Sequence, residues 1–117
     1  MTPTIVIIED NILLAQDLEG IVASHAPNAR ILTLGDLESA AVSIAMLRQT
    51  DIAMIGVRSE KPDLAQVIRA ARQQGLKVVF LGDTLDLAPG EYHIPGLFTN
   101  ESVAGVMAQL LRPGATG

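Results

Sequence analysis

Two acids close the first apolar run of this chain, in which Thr4-Ile5-Val6-Ile7-Ile8 is followed by Glu9-Asp10. Adjacent carboxylates at the end of a strand are oxygen donors of the kind hard divalent cations use, and a third acid, Asp83, stands just beyond the fourth apolar run. Mg2+ demands near-octahedral oxygen and gives up water reluctantly, so two carboxylates alone hold it weakly. The plainer role for Glu9 and Asp10 is that of solvated or hydrogen-bonded acids at the start of the first helix, and for Asp83 that of a turn residue. The third apolar run, Ile52-Ala53-Met54-Ile55, ends on Gly56, which offers neither ligand nor nucleophile. Two residues on is Arg58, which parallel neighbours would bring toward Glu9 and Asp10. A guanidinium fork there can bridge carboxylates that otherwise repel. The alternative is an exposed Arg58 paired with Glu60 or water, worth at most about 1 kcal/mol.

Other reactive side chains are few. His25 extends the apolar stripe of the first helix near its C-terminus, where an imidazolium suits the helix dipole. His93 has no acid or second His at ligand spacing and reads as a surface loop residue. Thr84 reads as a capping residue. There is no Cys, which excludes disulfides, thiol chemistry and thiolate metal sites. Gly35 and Gly56 follow strands, but neither belongs to a dinucleotide-binding or P-loop pattern.

The elements that must position these residues alternate. Strands are predicted at Thr4–Ile8, Ala29–Leu34, Ile52–Val57, Val78–Leu81 and a short Leu97-Phe98; the first, third and fourth are continuous apolar runs, as strands covered on both faces require. Helical stripes lie between them: Leu14, Leu18, Ile21 and Val22, then Leu37, Ala41, Ile44 and Leu47, then Leu64, Val67, Ile68 and Ala71, and finally Val103, Val106, Met107 and Leu110. Asp36 can cap the second helix, Pro62 fits the first turn of the third with Gly75 past its end, and Thr99 or Asn100 can cap the last. Pro89, Gly90, Pro95 and Gly96 leave room for one or two helical turns at most between the last two strands, around Thr84–Ala88. The pattern specifies an α/β fold, a doubly wound five-stranded parallel sheet with a shortened or irregular fourth helix. Its ligand chemistry is expected at the carboxyl ends of the strands.

The 117 residues suit one domain, read as 1–112 with a flexible tail at 113–117. A net charge of −5 with little clustering of Lys and Arg argues against nucleic acid. No apolar run reaches membrane-spanning length and no signal-type segment opens the chain, so a cytoplasmic location is expected.

With these residues in place, the chain resembles the receiver domain of bacterial response regulators, which implies a CheY-like, flavodoxin-type fold, from about Thr4 to Leu111. Ile5-Val6-Ile7-Ile8-Glu9-Asp10-Asn11 is similar to the family's first strand and acidic pair, and Asp51-Ile52-Ala53-Met54-Ile55 to the run before its phospho-accepting Asp. Gly56 stands in that acceptor's place. Gly82 replaces the family's phosphoryl-binding Ser or Thr, and Asn100 and Glu101 replace its Lys and Pro. Leu97 falls where members carry the Tyr or Phe that changes rotamer on activation. An aspartyl phosphate needs an attacking carboxylate and cations to neutralise developing charge, and Asp51 cannot serve, because five residues at ~3.3 Å each put it at the opposite edge of the sheet. The resemblance therefore implies a pseudo-receiver: a non-enzymatic, phosphorylation-independent module of signal transduction that binds a protein partner and needs no cofactor beyond weak Mg2+. Homodimerisation is expected through the last helix and strand, using Leu97 and the second apolar line Ala104, Ala108 and Leu111. Two alternatives are a phosphorylatable receiver with a rearranged site in a phosphorelay, and a flavodoxin-like sensor of small molecules. A histidine phosphotransfer role for His25 is excluded by the β-α alternation.

Overall fold

The apolar runs become strands because their alternate residues find cover on opposite sides. The computed structural model describes residues 3–35, 37–48, 50–57, 62–82, 87–95 and 98–111, with backbone alone at 37, 38, 57, 62 and 63. Along it run β1 (Thr4–Ile8), α1 (Ile12–His25), β2 (Arg30–Leu34), α2 (Leu37–Ala45), β3 (Ile52–Val57), α3 (Pro62–Gln74), β4 (Lys77–Gly82), β5 (Tyr92–Pro95) and α4 (Asn100–Leu110). The strands form one sheet in the order β2-β1-β3-β4-β5, and every pairing is parallel.

The alternation divides the core in two. Ile5, Ile7, Ile52, Met54, Val79 and Leu81 pack with Leu18 and Val22 of α1 and Val103 and Met107 of α4. Val6, Ile8, Ala53, Ile55, Val78 and Phe80 pack with Ala40 and Ile44 of α2 and Leu64, Val67 and Ala71 of α3. Each Val, Leu, Ile, Met or Phe so buried contributes about 1.5–3 kcal/mol, with no face left for water.

Helix punctuation follows local chemistry. The Asn11 side chain accepts from the N–H groups of Leu13 and Leu14 to cap α1. Thr99 caps α4: its hydroxyl accepts from the Ser102 N–H, and the Ser102 hydroxyl accepts from the Thr99 N–H. Helix α3 begins at Pro62 and stops at Gly75, where Leu76 N–H reaches the Ala71 carbonyl and Gly75 N–H that of Arg72. This is a Schellman ending.

One strand differs from the sequence expectation. The fifth is Tyr92–Pro95 rather than Leu97-Phe98. Pro95 is tolerated because β5 is an edge strand, with β4 as its neighbour in the sheet. The described residues between β4 and β5, 87–91, form a turn rather than a helix. They are tied to α3 by Glu91, which accepts from Arg72 through both carboxylate oxygens at 2.9 Å and from Ala88 N–H at 2.7 Å. The Arg72 guanidinium also lies over the Phe80 ring, 5.9 Å from its centroid. Asp36, Thr84 and residues 112–117 lie outside the described residues, and no described helix is long and apolar enough to cross a membrane.

Asp51 holds the other end of the sheet. Nearly buried, it accepts from Thr4 N–H and Arg48 N–H, each at 2.8 Å, and so pins the start of β1 to the loop before β3. Replacing it strands two backbone donors, so Asp51→Ala should lose about 2–4 kcal/mol in urea denaturation, and Asp51→Asn less. Glu91 gives the fold a pH dependence. Burial pushes its carboxyl up, but the Arg72 hydrogen bonds, the Ala88 N–H and the Arg72 charge together hold it below the ordinary 4.5. A lowered folded-state pKa means that the unfolded chain binds the proton more readily, so the contribution is complete well above pH 4.5 and is lost as pH falls through the folded value. With Arg72 39% exposed, the pair is worth about 1 kcal/mol. Glu91→Gln should remove this loss of stability on acidification, measured as urea midpoints at neutral pH and below pH 4.

Candidate functional site

The carboxyl ends of β1, β3 and β4 bring Glu9, Gly56 and Gly82 to one edge. Ile8 pairs with Ile55, and Val57 with Gly82. In β1, alternation puts Glu9 on the side of Ile5 and Ile7, the α1 side, while Asp10 is exposed. The acidic pair is thus divided.

Glu9 turns inward over β3. Only 4% of it is exposed, its N–H donates to the Leu34 carbonyl at 3.1 Å, and Asn11 N–H donates to its Oε1 at 3.2 Å. The carboxylate lies against Gly56. A Cβ added there would collide with Oε2, stand 3.0 Å from Glu9 Cδ and 3.3 Å from the Ile8 carbonyl oxygen. Real Cβ contacts are almost never so close. The space into which a side chain at position 56 would grow is filled by Glu9, and glycine is the residue that leaves room for it.

Gly82 has φ of 106°, a conformation that costs a Ser or Thr backbone strain. Its carbonyl accepts from His93 Nε2 at 3.0 Å. Because a carbonyl only accepts, Nε2 is the protonated nitrogen. His93 was expected in a surface loop; it sits on β5, half-buried, opposite Phe80, and fastens the end of β4 to the edge strand. The misplacement came from moving the fifth strand toward Leu97.

The same shift displaces Asn100. It is the first residue of α4, exposed and next to the Thr99 cap, and does not close a strand over the site. No Lys follows Lys77 anywhere in the chain, so the absence of a lysine beyond β5 does not depend on which residue is aligned there. Arg58, Asp83 and Leu97 lie outside the described residues. Among the described residues no three His, Asp or Glu side chains gather where a metal ion could be held. Ala104, Ala108 and Leu111 line a shallow cleft with His25, on the flank of α4 that meets α1, with Ala108 the most open of the three.

Among the described residues, the Glu9 carboxylate is buried against Gly56, and β4 ends there on Gly82, which has no hydroxyl. Sequence reasoning found both Glu9 and Gly56 but not their contact, which depends on the side-chain rotamer.

No family model and no curated protein sequence matches the chain. Solved structures do. A response regulator receiver protein from Sinorhizobium medicae WSM419 superimposes with a TM-score of 0.78 at 20% identity, covering 96% of each chain. The receiver domain of the hybrid histidine kinase CckA gives 0.72 at 16% identity, over 93% of this chain and 99% of that one. A de novo designed Rossmann 2x3 fold protein gives 0.65 at 16% identity, over 98% of this chain and 93% of the other, so the likeness is one of architecture. The chain has the α/β fold of response regulator receiver domains.

Proposed function

We propose that this chain is a receiver-like signalling module that works by binding protein and without an aspartyl phosphate. The observation that carries this reading is the contact between Glu9 and Gly56. The residue at the end of β3 has no carboxylate, and the volume a carboxylate there would need is already taken by Glu9. Attack on phosphorus requires an exposed nucleophile in line with its target and cations around the transferring group. Glu9 is buried, Gly82 lacks a hydroxyl, and no lysine follows β4. The partner is a protein, with a second copy among the candidates because Ala108 is exposed in the line Ala104, Ala108 and Leu111 on α4.

Incubation with acetyl phosphate and Mg2+ should leave the intact mass unchanged. Native spectra of the same samples report whether a second copy is bound. A phosphoryl adduct in good yield on a carboxylate would overturn the reading. The packing makes a second claim. Gly→Ala within a strand ordinarily stabilises by removing unfolded-state freedom. Here Gly56→Ala should forgo that gain and destabilise by about 1 kcal/mol, because its Cβ must displace the Glu9 carboxylate and press within 3.3 Å of the Ile8 carbonyl oxygen. In a Glu9→Ala background the penalty should shrink, giving a coupling of about 1 kcal/mol in a urea double-mutant cycle. Additive effects would show that Glu9 does not fill the space over Gly56.

A further inference from the structure

All the sulfur in this chain is methionine sulfur. There is no Cys, so the thioethers of Met1, Met46, Met54 and Met107 meet an oxidant without competition from a thiol of the same chain. The fold treats them unequally. Met54, on β3, is 0% exposed and Met107, on α4, 1%, both packed in the α1 side of the core. Met46 is 81% exposed, and Met1 lies outside the described residues. The exposure of Met46 is set by the backbone around it. Met46 N–H donates to the Ser43 carbonyl at 3.1 Å and Leu47 N–H to that of Ile44 at 3.0 Å, which tightens the turn after α2. From α3, Gln74 Nε2 donates to the carbonyls of Ala45 and Leu47, the residues on either side, at 3.1 and 2.7 Å. Both neighbours are thus tied to another helix, and the Met46 side chain is what the turn leaves to solvent.

We propose that Met46 is a site of reversible oxidation, taking one oxygen atom from an oxidant of the peroxide class. In that step a lone pair of the thioether sulfur attacks one oxygen of hydrogen peroxide, an S–O bond forms, the O–O bond breaks and the second oxygen leaves as water. Sulfur is oxidised by two electrons and the peroxide is reduced. The attack needs open space around sulfur, and of the three described methionines only Met46 has it. The product, methionine sulfoxide, is polar and is returned to the thioether by methionine sulfoxide reductases. Oxidation of a packed methionine disrupts a core, whereas Met46 belongs to neither half of this one. Its neighbours are surface residues: Val42, one turn earlier on α2, is 67% exposed, and Leu47 is half-buried. One added oxygen therefore turns an apolar patch polar and leaves the fold intact. Nothing in this step involves Glu9 or Gly56, so its success or failure is independent of the phosphoryl-transfer result.

The test treats the full chain with hydrogen peroxide at neutral pH and follows each methionine by peptide mapping and mass spectrometry, with N-acetylmethionine amide as the reference for an open thioether. Met46 should gain one oxygen at a rate close to the reference and about tenfold or more above the rates of Met54 and Met107. In urea the three rates should converge. Chain oxidised at position 46 should keep its circular dichroism spectrum and melting temperature, and methionine sulfoxide reductases A and B together should restore the thioether. Met46→Leu, at a site too exposed to threaten folding, should abolish uptake in that peptide and leave the slow rates of Met54 and Met107 unchanged. Oxidation of Met54 or Met107 as fast as Met46 in the folded chain, a marked drop in melting temperature once Met46 is oxidised, or a sulfoxide that the reductases cannot remove would overturn the proposal.

Discussion

Three neighbouring strands in this chain, β1, β3 and β4, have apolar residues on both faces, and a sheet built from them has no side it can turn to water. That constraint organises the rest. Helices follow β1, β2, β3 and β5, and right-handed crossovers place them on both faces, α1 and α4 on one and α2 and α3 on the other. Because the strands are parallel, their carboxyl ends share one edge and their amino ends the other. Whatever the loops carry is sorted accordingly: Glu9, Gly56 and Gly82 above, Thr4, Asp51 and Lys77 below. The same sorting explains why Asp51 bonds the start of β1 and cannot stand in for a residue at the end of β3.

At the upper edge the governing effect is volume. A Gly at position 56 could be read as a loss, a strand end from which a functional side chain is missing. The geometry makes it one half of a fit, since the side chain from the neighbouring strand lies where a Cβ would be. Overpacking in a buried position costs on the order of 1–3 kcal/mol, comparable with a sizeable part of a small domain's stability. The two positions are therefore coupled, and neither residue can be interpreted from its own identity alone.

Much of the fold was legible because the signals were long and mutually consistent. The run Thr4–Ile8 and the run Ile52–Val57 coincide with their strands, and Pro62 and Gly75 bracket α3 as their backbone preferences dictate. The fifth strand was misread because Tyr92-His93-Ile94-Pro95 is short, half-polar and flanked by Pro and Gly, while Leu97-Phe98 looks more like a buried strand. Pro counts against a strand only where its missing N–H would be needed, and β5 lies at the edge of the sheet. That local error carried Asn100 to a strand end and left His93 in a loop. The site was legible as composition, in an acidic pair and two glycines at strand ends, but not as contact. Whether Glu9 points outward to a cation or inward over Gly56 is decided by a rotamer, and hydrophobic periodicity does not encode rotamers.

The inward turn of Glu9 also answers how a carboxylate is kept in a nearly closed position. Its Oε1 accepts from the N–H of Asn11, and the Asn11 side chain in turn accepts from Leu13 and Leu14, so the acid adjoins a chain of bonds that satisfies the first donors of α1. The amino end of a helix carries partial positive charge and favours an anion in its first turn. The first turn of α1 holds no acid of its own, and Glu9, from the strand that leads into the helix, accepts from the N–H of its cap residue, Asn11. One carboxylate thereby makes two contacts, with that N–H and with Gly56 of β3. The acidic pair at the end of β1 is divided accordingly: Glu9 faces in, and Asp10 lies at the surface.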